Sequence, residues 1–190
     1  RPDAAIELLR EAVEICPEHR PAAKALSRLY QRSGAWNHLA ELLQAEVVRS
    51  PEDWRTQMKL IEVYQDRLIL TDKAEPHLKA LLARKYYTPA ATRLARIFSQ
   101  QSRWQELYEH NLFCAAHETS LRERLHLMEQ AGSLAEHQLE RPETAVECWQ
   151  AIHELDPLPP GCLAALRRLL CHLGRWEDLV ALNTDEIAVR

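Results

Sequence analysis

Glycine is scarce in this chain, with four in 190 residues, and no Asn-Gly or other hairpin dipeptide interrupts it. Strand-like alternation of apolar and polar residues is absent and β-branched residues are few, which argues against a sheet. No apolar run approaches the roughly 20 residues that a membrane span requires, and no signal segment is visible in this stretch. Neither charge sign forms a block, and the net charge of −4 with a pI near 6.2 leaves no basic excess of the kind a general nucleic-acid binder carries. There is no Gly-rich phosphate loop, no nucleophile elbow and no His-Glu-x-x-His. The abundant carboxylates fall among Arg and Lys on helix faces, where solvation explains them. No catalytic residue and no cofactor is therefore expected.

Five cysteines are present, at positions 16, 114, 148, 162 and 171, with no Cys-x-x-Cys pair. An odd count in a chain that is 46% hydrophobic does not suggest a disulfide framework. Small buried thiols are the expectation, since free cysteine is among the most buried residue types. Five unpaired thiols also point towards the cytoplasm. One grouping has metal-ligand spacing: His110, Cys114 and His117 fall at i, i+4 and i+7 on one helix face, where imidazole and thiolate could hold Zn²⁺. A fourth ligand is not evident, and Cys114 occupies a small-residue slot, so no metal site is assigned.

What the chain has in quantity is helix former: Ala, Leu, Glu and Arg dominate. It also repeats. Ser33-Gly34-Ala35-Trp36-Asn37-His38-Leu39, Gln101-Ser102-Arg103-Trp104-Gln105-Glu106-Leu107 and Leu173-Gly174-Arg175-Trp176-Glu177-Asp178-Leu179 share a turn residue, a spacer, Trp, two polar residues and Leu. The Trp positions lie 68 and then 72 residues apart, close to twice a 34-residue unit. Between them, Leu68 precedes Ala74 by six and Leu139 precedes Ala145 by six, marking a second type of unit with a longer turn.

Apolar spacing and breakers place eleven helices near 2–15, 20–33, 35–49, 52–68, 72–84, 88–101, 103–117, 120–139, 142–155, 160–173 and 175–189. Pro17, Pro51, Asp156-Pro157 and Pro159-Pro160 end or launch helices. Gly34 and Gly174 stand where a helix end needs a left-handed residue. Short connections make successive helices antiparallel. The stripe Ala5, Ile6, Leu9, Ala12 and Val13, and its counterpart Ala145, Trp149 and Ile152, cannot be buried within one helix pair, so stacking on neighbours must supply the core. The post-turn tryptophans are expected in that packing, with Trp104 buried beside Leu107.

The run Leu26, Tyr30, Gly34, Leu39, Leu43 and Pro51, together with Ala5, Leu9, Ala12 and Pro17, resembles the tetratricopeptide repeat, in a divergent form like the arrays of long bacterial repeat proteins. The resemblance covers essentially the whole chain. It implies an all-α, right-handed α-solenoid of stacked antiparallel helix pairs. Approximate units would be 1–19 (partial), 20–53, 54–87, 88–124, 125–159 and 160–190 (partial), in a chain read as a piece of a longer repeat protein. In that family the first helices of the units line a concave groove that binds protein or peptide. Mapped onto this chain, the groove rows are Lys24, Arg28, Gln31 and Arg32; Met58, Glu62, Gln65 and Asp66; Thr92, Arg96, Ser99 and Gln100; Glu129, Ser133, Glu136 and His137; and Arg168 with His172. Basic and acidic rows alternate, which implies an extended or helical partner segment of mixed charge. The resemblance implies a binding scaffold rather than an enzyme; a purely architectural spacer between flanking domains is the alternative.

Overall fold

The computed structural model describes residues 2–156 and 160–189, so Pro157 and Pro159, like the end residues Arg1 and Arg190, lie outside the described residues. All regular structure among them is helical. The helices are α1 (Pro2–Ile15), α2 (Arg20–Ser33), α3 (Trp36–Arg49), α4 (Trp54–Glu62), α5 (Thr71–Arg84), α6 (Thr88–Gln100), α7 (Trp104–His117), α8 (Leu121–His137), α9 (Pro142–Leu155), α10 (Pro160–His172) and α11 (Trp176–Val189). Connections are two to four residues long, and within the two units α1 packs on α2, α2 on α3, α3 on α4, α4 on α5, α7 on α8, α8 on α9, α9 on α10 and α10 on α11. The expected helix at 52–68 differs in one respect: it is α-helical only to Glu62 and continues as a π-helical turn, Val63–Arg67. There the Leu68 amide reaches back five residues to the Val63 carbonyl at 3.0 Å.

The chain forms two compact units, Arg1–Ala90 and Ala91–Arg190. In the first, α3 packs against both α2 and α4, and α4 against α5. Leu26, Leu39, Leu60, Ile61 and Leu78 are almost completely withdrawn from water. Burying each such side chain stabilises the fold by about 1.5–3 kcal/mol. A latch repeats at the helix ends: Arg49 donates to the carbonyl of Pro17, and Arg84 donates to the carbonyl of Pro51. The prolines that stop helices thus also present free carbonyls to the arginine one repeat later.

In the second unit, α8 packs densely against α7 and α9, and α9 against α10. Small residues permit this. Ala131, Ala135 and Ala145 are wholly buried, and a Cβ on Gly132 would sit 3.0 Å from the Trp149 indole. Val146, Trp149, Ile152, Cys162, Leu166 and Leu170 fill the same core.

Gly34 and Gly174 adopt φ of 72° and 68°, the left-handed conformation expected of them. Ser102 holds the matching position of the middle Trp turn at φ 55°, and Ile69 and Glu140 do so in the two longer turns at 56° and 54°.

Two expectations are corrected. The repeated tryptophans are not buried between units: Trp36 and Trp104 are half-buried and Trp176 is 61% exposed. Each of Trp36 and Trp176 folds back over its own turn, with Nε1 3.9 Å from where a Cβ on the turn glycine would stand. Trp36 is covered by a cation, the Arg67 guanidinium lying 4.7 Å from its ring centre. Nor are all five thiols buried: Cys114, Cys148 and Cys162 are, while Cys16 and Cys171 are exposed.

Ile69 is a β-branched residue held at positive φ with its side chain 79% exposed, so strain there is not repaid by packing. Ile69→Gly should raise the melting temperature by about 1–3 °C, because relief of about 1–2 kcal/mol of left-handed strain outweighs glycine's entropic penalty. Gly132→Ala should lower it by several degrees through overpacking against Trp149. Gly161→Ala is the control, since nothing lies within 4 Å of its added Cβ. Calorimetry on the three variants checks both statements, and equal melting of Gly132→Ala and Gly161→Ala would contradict the packing.

Candidate functional site

In α2 the apolar stripe Ala22, Ala23, Leu26 and Tyr30 faces the core, which forces Arg20, Lys24 and Arg28, spaced by four, onto one outward row. Its first turn is capped by His19, whose Nδ1 accepts from the Ala22 amide at 3.1 Å. In α4 burial of Gln57, Leu60 and Ile61 similarly turns Arg55 and Lys59 outward. Both helices rest on α3 but stand apart from each other, and between them opens a cleft of about 990 Å³. Leu43 and Glu46 of α3 form its floor, and Pro17 and Ser50 lie at its end.

Six cationic side chains and three carboxylates line this cleft, so it is locally positive although the chain as a whole is negative. The three carboxylates are not equivalent. Asp53 is committed to the α4 N-terminus: it accepts from the Arg55 and Thr56 amides at 3.1 and 3.4 Å and from the Thr56 hydroxyl at 2.8 Å. The Thr56 hydroxyl bond is the main reason that its carboxyl is held below the usual range. Glu18 is exposed at the mouth. Glu46 is half-buried on the floor, with neither ion pair nor side-chain hydrogen bond among the described residues, and burial pushes its pKa up in spite of Arg49, Lys59 and Arg20 nearby. Of the cations, Arg49 is held by the Pro17 and Ala45 carbonyls, and the Arg55 guanidinium lies 5.5 Å from the Trp54 ring centre. The side chains of Arg20, Lys24, Arg28 and Lys59 have no hydrogen-bond or ion-pair partner among the described residues.

Part of this arrangement follows from the helical spacing in the sequence. Lys24, Arg28 and Gln31 line the cleft, while Arg32 is exposed outside its lining. Glu62 and Asp66 are exposed at the far end of α4 and its π turn, also outside it. Met58, expected on the open face, is buried. Arg20, Glu46, Arg55 and Lys59 were missed. Stepping back one turn from Lys24 would have found Arg20. Glu46 lies on α3, the second helix of its pair, outside the first-helix rows.

In the second unit Arg96 and Gln100 are exposed on α6, and Glu129 is half-buried on α8. Arg168 of α10 grips both carboxylate oxygens of Glu136 on α8, a bidentate pair that satisfies both charges within the fold. His110 and His117 do not converge. His110 is buried, its Nε2 2.9 Å from the Ala91 carbonyl and 3.4 Å from Cys114 Sγ. His117 is exposed and bonds the Phe113 carbonyl through Nδ1. Among the described residues no cluster of three or more metal-ligating side chains occurs. A second recess, of about 630 Å³, lies between α1 and α3 against Val13, Ala45 and Val48. No described helix is long and apolar enough to cross a membrane.

Burial lowers the pKa of both His77 and His110. The unfolded chain therefore binds protons at these sites before the folded one does. Their contribution is complete above the unfolded value near 6.5 and is lost progressively as pH falls below it. The melting temperature should drop between pH 7.5 and 5.5, and His110→Gln should flatten that drop. An unchanged slope in the variant, measured by thermal denaturation at both pH values, would contradict the assignment.

No family model matches the chain, and no curated protein matches it in sequence. Solved structures do match in fold. The Naa15/Naa10 complex bound to HypK-THB aligns over 89% of this chain at a TM-score of 0.54 with 17% identity, and this chain spans only 26% of that one. The MamA protein aligns over 86% of this chain and 87% of its own at 0.48 and 13% identity. YrrB, a TPR protein with an unusual peptide-binding site, aligns over 97% and 93% at 0.48 and 10% identity. Short antiparallel helices, a Trp turn recurring at about twice 34 residues and left-handed residues at each matching turn all agree: the chain has a tetratricopeptide-like helical-repeat fold.

Proposed function

We propose that the chain is a protein-interaction scaffold, and that its first unit receives a segment of a partner protein in the cleft between α2 and α4. The observation that carries this reading is the cleft itself: four cations whose side chains have no partner among the described residues, along two facing helices, over a space large enough for several residues of peptide. Charges on an ordinary solvated face need no such shared concavity. Lys24 and Arg28 are the contact residues on α2, and Arg32, Glu62 and Asp66 would meet the partner where it leaves the cleft. Arg96, Gln100 and Glu129 are candidate contacts on the second unit. Electrostatic recognition of this kind sets specificity and association rate more than raw affinity, and it weakens with salt.

A spacer role fits the second unit better than the first, because Arg168 and Glu136 satisfy one another there. The two readings separate on one experiment. The double variant Lys24→Glu/Arg28→Glu alters two exposed side chains, so its melting temperature should stay within about 1 °C of wild type. Pull-down with quantitative mass spectrometry should then show proteins that the wild type captures and the variant loses, with capture falling as salt is raised. Identical partner lists for the two proteins would leave the spacer reading in place.

A further inference from the structure

The floor of the α2–α4 cleft carries a feature that its basic walls do not explain. Glu46 presents a half-buried carboxylate with no hydrogen-bonding or ion-pairing partner among the described residues, although cations surround it. Arg49, one turn away on the same helix, is held by the Pro17 and Ala45 carbonyls. Lys59 and Arg20 act on it only from a distance, since neither comes within ion-pair range. A carboxylate partly removed from water and left unpaired is costly, and an incoming cation would relieve that cost. A purely acidic ligand would satisfy the walls and be repelled at the floor.

Resting on the reading that the cleft receives a peptide segment, we infer that it selects one in which a single lysine or arginine is flanked on both sides by acidic residues. The spacing supports this order. Arg20, Lys24 and Arg28 rise along α2 by about 6 Å per step at 1.5 Å per residue. Alternate side chains of an extended peptide stand about 6.7 Å apart at 3.3–3.4 Å per residue. Acidic side chains on one edge of such a peptide can therefore follow the α2 row while a residue between them turns away from it. Lys59 on the opposite wall is open to a further acidic group. A nucleic-acid strand supplies phosphates for the walls but no cation for Glu46.

The test uses fluorophore-labelled seven-residue peptides with amidated C-termini, so that no terminal carboxylate contributes. One reads Glu-Asp-Glu-Lys-Glu-Asp-Glu and the other has glutamine in place of the central lysine. A seven-nucleotide thymidine oligomer serves as a bare polyanion. Fluorescence anisotropy on the whole chain should give affinity about tenfold tighter for the lysine peptide than for the glutamine peptide, although the lysine peptide carries less negative charge. The oligomer should bind more weakly than the lysine peptide. Glu46→Gln should bring the lysine peptide down to the level of the glutamine peptide, and its circular dichroism should match wild type. Arg28→Glu should weaken both peptides. Equal binding of the two peptides to wild type, with both weakened by Arg28→Glu, would overturn the charge order and leave the peptide-binding reading standing. Retention of the lysine preference in Glu46→Gln would likewise remove Glu46 from recognition. An oligomer binding as tightly as the lysine peptide, or no binding of either peptide, would overturn both the inference and the reading beneath it.

Discussion

A helix of about fourteen residues that carries one apolar stripe and is joined to the next by two to four residues cannot satisfy itself. It must pack on its sequence neighbours, and they on theirs. α3 is the clearest case: Leu39, Leu42, Leu43 and Val47 give it a buried surface that α2 and α4 share. Because both outer helices are committed to α3, nothing obliges them to meet one another, and the cleft is the consequence. In the second unit, Ala131, Gly132 and Ala135 let α8 lie tightly on its neighbours. There α8 is also tied to α10 by the Glu136–Arg168 pair. The difference in side-chain size and charge pairing, rather than any difference in helix content, leaves the first unit with an open charged face.

The partners of the arginines carry the same logic into the electrostatics. Arg49 and Arg84 serve carbonyls left open by prolines. Arg103 pairs with Glu106, Arg167 with Glu186 and Arg175 with Asp178, so these cations stabilise turns or neighbouring helices. Among the described residues the side chains of Arg20, Lys24, Arg28 and Lys59 have no such employment, and all four line the α2–α4 cleft. The net charge of the chain gives no hint of this, since it averages over cations that the fold has already used.

The helices were legible because their boundaries are written locally. Pro17, Pro51 and Pro142, the turn residues and the 3.6-residue stripes fix ends to within a residue or two at most positions. The π turn at Val63–Arg67 was not, since it depends on how the long turn closes, with the Leu70 amide reaching the Tyr64 carbonyl at 2.7 Å. The tryptophans misled for a related reason. Their recurrence marks a shared position after the turn, but Trp36 and Trp176 cover the turn instead of filling the core, and a large aromatic beside a glycine reads the same in sequence whether it is buried or lies back on the backbone. At the candidate site, the α2 row followed from helical spacing alone. The floor residue Glu46 and the neutralisation of Arg168 by Glu136 did not, because each depends on which helices face each other across 32 residues or on a second helix that the pattern treats as core.

The proposed recognition by the face between α2 and α4 can be read from amide chemical shifts of the isotopically labelled chain titrated with the acid-lysine-acid peptide. Perturbations should concentrate in α2, in the 43–50 end of α3 and in the first turns of α4, with α1 residues such as Val13 unmoved. Perturbations centred instead on the apolar recess of Val13, Ala45 and Val48, or spread evenly over both units, would contradict it.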